Sequence, residues 1–170
     1  MLLPHNKEKG FTLIEILLSI SLISILLFSV SGFLTLMFSS RAKSQTLMEV
    51  EENGIQIMQI LTQTIRNADA ITAPLAGASA TTLTLALSDV LVNPTVFTFS
   101  NNRLRMNESV WTPNFLSSTH VRVTDLSFQN VSRTATPGII RIQFTLTAIN
   151  SGGRNEYDYS KTFYGTASLR

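Results

Sequence analysis

The sequence predicts an α+β fold: one long N-terminal helix whose second half packs on an antiparallel β-sheet. Three observations lead there. Residues 11–38 are apolar apart from Glu15, residues 39–72 change to a one-sided helical stripe, and from residue 73 short alternating segments are separated by Asn, Gly and Pro. With 170 residues, the chain holds one extramembrane domain once the apolar stretch is set aside.

The apolar stretch dominates the composition. Charged residues are 14% of the chain, about half the usual share, and the deficit is concentrated here. From Ile16 to Phe38 no residue is charged. As a helix rising 1.5 Å per residue, that run covers roughly 35 Å, enough to cross a ~30 Å hydrocarbon core. Length alone fits three uses: a plain single-span anchor, a cleaved secretory signal ending near Ser29-Val30-Ser31, or a filament-forming precursor. A secretory signal has an apolar core of only ~7–15 residues, so this run is too long for one.

Local residues choose among these. Lys9-Gly10-Phe11-Thr12-Leu13-Ile14-Glu15-Ile16 resembles the prepilin cleavage and methylation motif of type IV pilins and type II secretion pseudopilins. In that family a short polar leader ends in Gly, Phe usually follows, and a Glu stands fifth in the mature chain. Gly10, Phe11 and Glu15 match each position. The resemblance implies a leader over 1–10, cleavage between Gly10 and Phe11, and N-methylation of Phe11. It implies a membrane and filament-core helix over 11–38, an amphipathic continuation over 39–72 and a sheet domain over 73–170.

The same residues make physical sense. Lys7 and Lys9 favour keeping the leader on the cytoplasmic side, although Arg41 and Lys43 balance them at the far end of the run. Gly10 lets a protease approach the backbone and breaks the helix before the apolar run. A carboxylate in an apolar helix costs a few kcal/mol if central, so it is usually paired. Glu15 follows Phe11 by four residues, about 6 Å along a helix axis. It can neutralise the amine that cleavage creates on Phe11, in its own chain or a neighbour's. The resemblance implies pairing between subunits.

One departure bears on role. Many major pilins carry Pro twenty-two residues into the mature chain, and here that position is Gly32. Gly also loosens a helix, by roughly 1 kcal/mol relative to Ala. The missing Pro fits a minor subunit.

Beyond Ser40, Leu47, Met58, Leu61, Ile65 and Ala68 recur at helical spacing with Gly54 on the same face, while Glu49, Glu51, Glu52, Gln59, Gln63 and Arg66 lie largely outside it. The helix is expected to run from about Phe11 to about Ala70, with bends at Gly32 and Asn53-Gly54. Ala73-Pro74 is expected to end it, and residues 76–82 to form a mobile linker.

Strands follow. Leu83, Leu85 and Leu87 mark the first. Val96–Ser100 and Arg103–Met106 form a hairpin about Asn101-Asn102, since Asn tolerates the positive φ of a tight turn. Val121 and Val123 share one parity, and Leu126 and Phe128 the other, so a bulge is expected near Asp125. Ile140, Ile142, Phe144, Leu146 and Ala148 alternate with Arg141, Gln143, Thr145 and Thr147. Gly152-Gly153 turns the chain into a strand over Tyr157–Phe163, and a last short strand covers Ala167–Leu169. This order of segments, with its Ile65–Ala68 helix end and its finish from Thr162 to Arg170, also resembles the J-type minor pseudopilin and the W-type minor pilin.

Catalytic and metal chemistry find little footing. The chain has no Cys, which excludes thiolate zinc sites, disulfides and Cys nucleophiles. His120 has no neighbouring triad pattern and reads as a strand-surface residue. Glu156 and Asp158 are the nearest approach to a calcium site, but a solvated strand edge explains them. Trp111 and the tyrosines read as sheet-face residues. Net charge is +2 and no basic cluster stands out, so no nucleic-acid partner is firmly implied despite a pI near 9.2. No cofactor, metal or catalytic residue is expected.

The partners implied are other pilin or pseudopilin subunits through the helix, prepilin peptidase, an inner-membrane assembly platform, and lipid before assembly. The implied location is the inner membrane, with the C-terminal domain outside the cytoplasm, and then a pilus or pseudopilus. The alternative is a membrane-anchored binding module whose external sheet domain recognises DNA, a surface polymer or a secreted substrate.

Overall fold

A computed structural model describes residues 10–109, 113–133 and 136–170. The leader lysines Lys7 and Lys9, and Trp111, lie outside the described residues. The chain divides into two units, one ending at Arg41 and the other beginning at Ala42. Helix α1 runs from Leu13 to Asn67 without a break.

In the first unit every large apolar side chain from Phe11 to Phe38 is exposed. This is the one helix, among the described residues, long and apolar enough to cross a membrane. Its hydroxyls turn back on their own backbone. Ser19, Ser24 and Thr35 donate to the carbonyls of Glu15, Ile20 and Ser31 at 2.8, 2.8 and 3.0 Å. Ser21 donates to Leu18 O at 2.8 Å. A hydroxyl bonded to a carbonyl three or four residues back carries little cost into lipid. Gly32 sits in continuous helix with open space about it.

In the second unit α1 buries Thr46, Val50, Gly54, Ile57, Leu61 and Ile65, a stripe at intervals of three or four residues. Leu47 and Met58 flank it half-buried. Gly54 is therefore a packing residue on the buried stripe, the face its spacing gives it. The ring of Phe163 occupies the space a Cβ would need there, and Met58 covers Gly165 in the same way.

The sheet region is two sheets and not one. Strands β1 (Ala70–Ala73), β3 (Leu83–Ala86), β4 (Thr95–Ser100), β5 (Arg103–Asn107) and β6 (Asn114–Phe115) form the first, in the order β1-β3-β4-β5-β6. Strands β2 (Ser79–Ala80), β7 (Val121–Asn130), β8 (Ile139–Ala148) and β9 (Ser160–Ser168) form the second, in the order β2-β7-β8-β9. All pairings are antiparallel. The architecture is the α+β, pilin-like one the sequence predicts.

Two strand features appear as expected. Asn101 and Asn102 carry φ of 54° and 58° in the β4–β5 hairpin, both positive, as a two-residue turn that follows strand twist requires. The β7–β8 register slips between Thr124 and Ser127, and Asp125 has φ of 51°, so Val121, Val123, Leu126 and Phe128 all reach the core.

Other expectations are corrected. The helix stops at Asn67, because Asp69 donates to Ala86 O at 2.9 Å and Ala70–Ala73 then pairs with β3. The stretch expected to be a mobile linker contains β2, which pairs with β7 through Ser79 and Gln129. Buried Asn130 holds it: its Nδ2 donates to Pro74 O at 2.7 Å, its N–H donates to Ala78 O at 2.9 Å, and its carbonyl accepts from Gly77 at 2.8 Å. Strand β3 ends at Ala86, before Leu87. A short 3₁₀ turn covers Asn155–Tyr157, and the two short C-terminal strands are one continuous β9 paired with nearly all of β8.

The core lies between the two sheets' apolar residues and α1. Phe97, Phe128, Phe144, Ile57, Leu61 and Ile142 are among its fully buried side chains. Phe144 and Phe163 stack with centroids 5.3 Å apart and planes at 18°, an offset geometry that favours aromatic pairs.

Candidate assembly site at the start of the long helix

Gly10, Phe11 and Thr12 precede the first turn of α1, and Phe11 is 76% exposed. Thr12 caps the helix. Its Oγ1 accepts from the Glu15 N–H at 3.3 Å, and its carbonyl accepts from Glu15 and Ile16 at 3.1 and 3.2 Å. An N-cap hydroxyl satisfies one of the amides that a helix start leaves unpaired. Sequence reasoning passed over Thr12, although the signal was present. Thr-x-x-Glu is the capping-box spacing, and apolar Phe11 and Ile16 occupy the two positions of a hydrophobic staple.

Glu15 is exposed and lies in the first turn. There the positive end of the helix dipole favours a carboxylate by about 0.3–1 kcal/mol. Among the described residues it has no ion-pair partner. The arrangement is a carboxylate on an otherwise apolar rod, one turn from the residue whose nitrogen cleavage at Gly10 would free. Gly10 is exposed, with nothing within 4 Å of where a Cβ would stand.

Several other ionisable groups pair elsewhere. Glu51 accepts from Lys161 Nζ at 2.8 Å and from Tyr159 Oη at 3.4 Å. The Lys161 hydrogen bond, then its charge, holds the Glu51 carboxyl below the usual range, and Glu51 in turn raises the Lys161 ammonium. His120 Nδ1 lies 2.9 Å from Glu49 Oε1. The Ser118 hydroxyl accepts from the backbone N–H of His120 at 3.2 Å, so that bond does not involve the imidazole as a triad would require. Glu156 and Asp158 do not share a strand face, since Glu156 lies in the 3₁₀ turn and pairs with Arg154 at 2.9 Å.

Residues 5–31 match the family model of the prokaryotic N-terminal methylation motif. That match covers the stretch whose residues resemble the prepilin motif, Gly10, Phe11 and Glu15 included. No curated protein and no solved structure matches the chain. The chain thus has a methylation-motif match over residues 5–31, an apolar helix long enough to cross a membrane, and an α+β domain.

Proposed function

We propose that the chain is a minor subunit that helps initiate or assemble a type IV pilus or a type II secretion pseudopilus. The observation that carries this reading is the exposed apolar rod of α1 with a single carboxylate in its first turn. Such a surface needs lipid at first and other helices afterwards.

The precursor sits in the inner membrane with Lys7 and Lys9 on the cytoplasmic side. Prepilin peptidase hydrolyses the Gly10–Phe11 amide: water adds its hydroxyl to the Gly10 carbonyl carbon, and the nitrogen leaves as the Phe11 amine. That amine is methylated and stays cationic. At an assembly platform the helix leaves lipid and joins the helices of other subunits. Glu15 then sets axial register by pairing with a neighbour's Phe11 ammonium. A carboxylate left unpaired at bilayer depth would cost about 2.5–3.5 kcal/mol, so pairing favours one stagger over its neighbours.

The minor role is supported by Gly32 standing where major pilins carry Pro, and by the segment order shared with J-type and W-type minor subunits. Intact-mass and N-terminal sequencing of the membrane-purified protein test the reading. A mature chain beginning at methylated Phe11 is expected, and an intact Met1 or a start near Gly32 would overturn it.

A further inference from the structure

The outward face of β7, β8 and β9 has a composition that the filament role does not use. Its residues run in four rows across the strands: Gln129, Arg141 and Thr166; Ser127, Gln143 and Tyr164; Thr124, Thr145 and Thr162; Arg122, Thr147 and Ser160. Hydroxyls and amides fill this face. The only acid in the three strands is Asp125, exposed at the bulge, against Arg122, Arg141 and Lys161. Lys161 has the opposite parity on β9 and is taken by Glu51. Two guanidiniums therefore face one carboxylate.

Tyr164 is 70% exposed, unusual for a ring of that size in mid-strand. It borders an open cleft of about 450 Å³ lined by Arg141, Gln143, Gly165 and Thr166. Gln129 Oε1 accepts from Arg141 Nη1 at 3.3 Å and steadies the guanidinium on the face. Along the sheet the hydroxyls meet in pairs, Thr145 with Thr162 at 2.8 Å and Thr147 with Ser160 at 3.0 Å. Each pair keeps lone pairs to offer a ligand, since a hydroxyl accepts twice and donates once.

Charge spacing selects the ligand class. Arg141 and Arg122 stand six residues apart along the β8 register, about 20 Å at 3.3 Å per residue. Over that length each strand of a DNA duplex presents about six phosphates, one per 3.4 Å. Two arginines offset by Asp125 are too sparse a match for it. A polymer of neutral, hydroxyl-rich units with carboxylates set well apart fits better. Its C–H faces can lie on the Tyr164 ring, its hydroxyls can meet the Thr and Gln rows, and its carboxylates can take guanidinium forks.

We propose that this face, centred on Tyr164, Arg141 and Gln143, binds a polysaccharide carrying spaced carboxylates. The proposal involves only residues 121–168 and does not depend on cleavage or filament entry, so either can fail without the other. The test uses the full chain in detergent micelles over immobilised hyaluronan, whose carboxylates fall only on alternate sugars, its methyl ester and duplex DNA. Retention on hyaluronan is expected, with affinity at least tenfold weaker on the methyl ester and on DNA. Tyr164→Ala and Arg141→Gln are each expected to weaken it at least tenfold, while Tyr164→Phe, which keeps the ring, retains it. Both sites are exposed, and unchanged thermal unfolding of the variants excludes misfolding as the cause. No retention of the parent chain on hyaluronan, Tyr164→Ala binding as well as the parent, or DNA bound as tightly as hyaluronan would each overturn the proposal.

Discussion

The ring of Phe163 on β9 rests on the backbone of Gly54 in α1, in the space that any Cβ at position 54 would fill. Ala would ordinarily favour a helix by about 1 kcal/mol over Gly. Here the overpacking cost, typically 1–3 kcal/mol, outweighs it. Gly54→Ala should lower the urea midpoint of the full chain in micelles, and Gly54→Ala with Phe163→Leu should recover part of the loss. A more stable Gly54→Ala protein would show that the contact yields freely.

Capping and pairing can be separated at Glu15. Gln also serves at the third position of a capping box but carries no charge. Glu15→Gln should therefore leave Gly10–Phe11 cleavage intact while reducing co-purification with other subunits as strongly as Glu15→Ala does. Thr12→Ala should cost the helix start about 1 kcal/mol and should not mimic the Glu15 variants in co-purification.

A side chain larger than Ala at position 10 should stop processing. Gly10→Val is expected to leave the full precursor mass in the membrane fraction, whereas Gly10→Ala should be trimmed slowly. Complete trimming of Gly10→Val would move the cleavage site elsewhere.

The Glu51–Lys161 pair gives a pH signature. Because the folded state holds the Glu51 carboxyl low, its contribution is complete at neutral pH and disappears as pH falls through the acid range of carboxylates. Because the Lys161 ammonium is raised, that contribution persists until strongly alkaline pH and is lost above it. Comparing urea midpoints of the parent and Lys161→Met across pH should show a gap at neutrality that narrows at both extremes. Both side chains are about 40% exposed, so the gap should be small and shrink with added salt.

What could be read from the sequence followed from local physics. Asn101-Asn102 demands a turn by its own backbone preference, β8 announces itself by strict alternation, and the parity change at Asp125 forces a bulge. The matched N-terminal motif is a run of adjacent residues. Ala70–Ala73 was different, because alanine favours helix and only pairing with β3, Ala70 to Ala86, makes it a strand. The place of Gly54 on the buried stripe was legible from its spacing, but the ring that fills its missing Cβ lies over a hundred residues away. The division into two sheets is likewise set by which strands find each other, and β2, two residues long, carries no periodicity to detect. Thr12 was legible and overlooked, masked by the stronger pattern around it.

The hydroxyls of Ser19, Ser24 and Thr35 bond to carbonyls of their own helix. Such a segment can exchange one greasy environment for another without first surrendering a polar contact. On the proposed function, entry into a filament and withdrawal from it would then differ mainly in how the lone acid is matched.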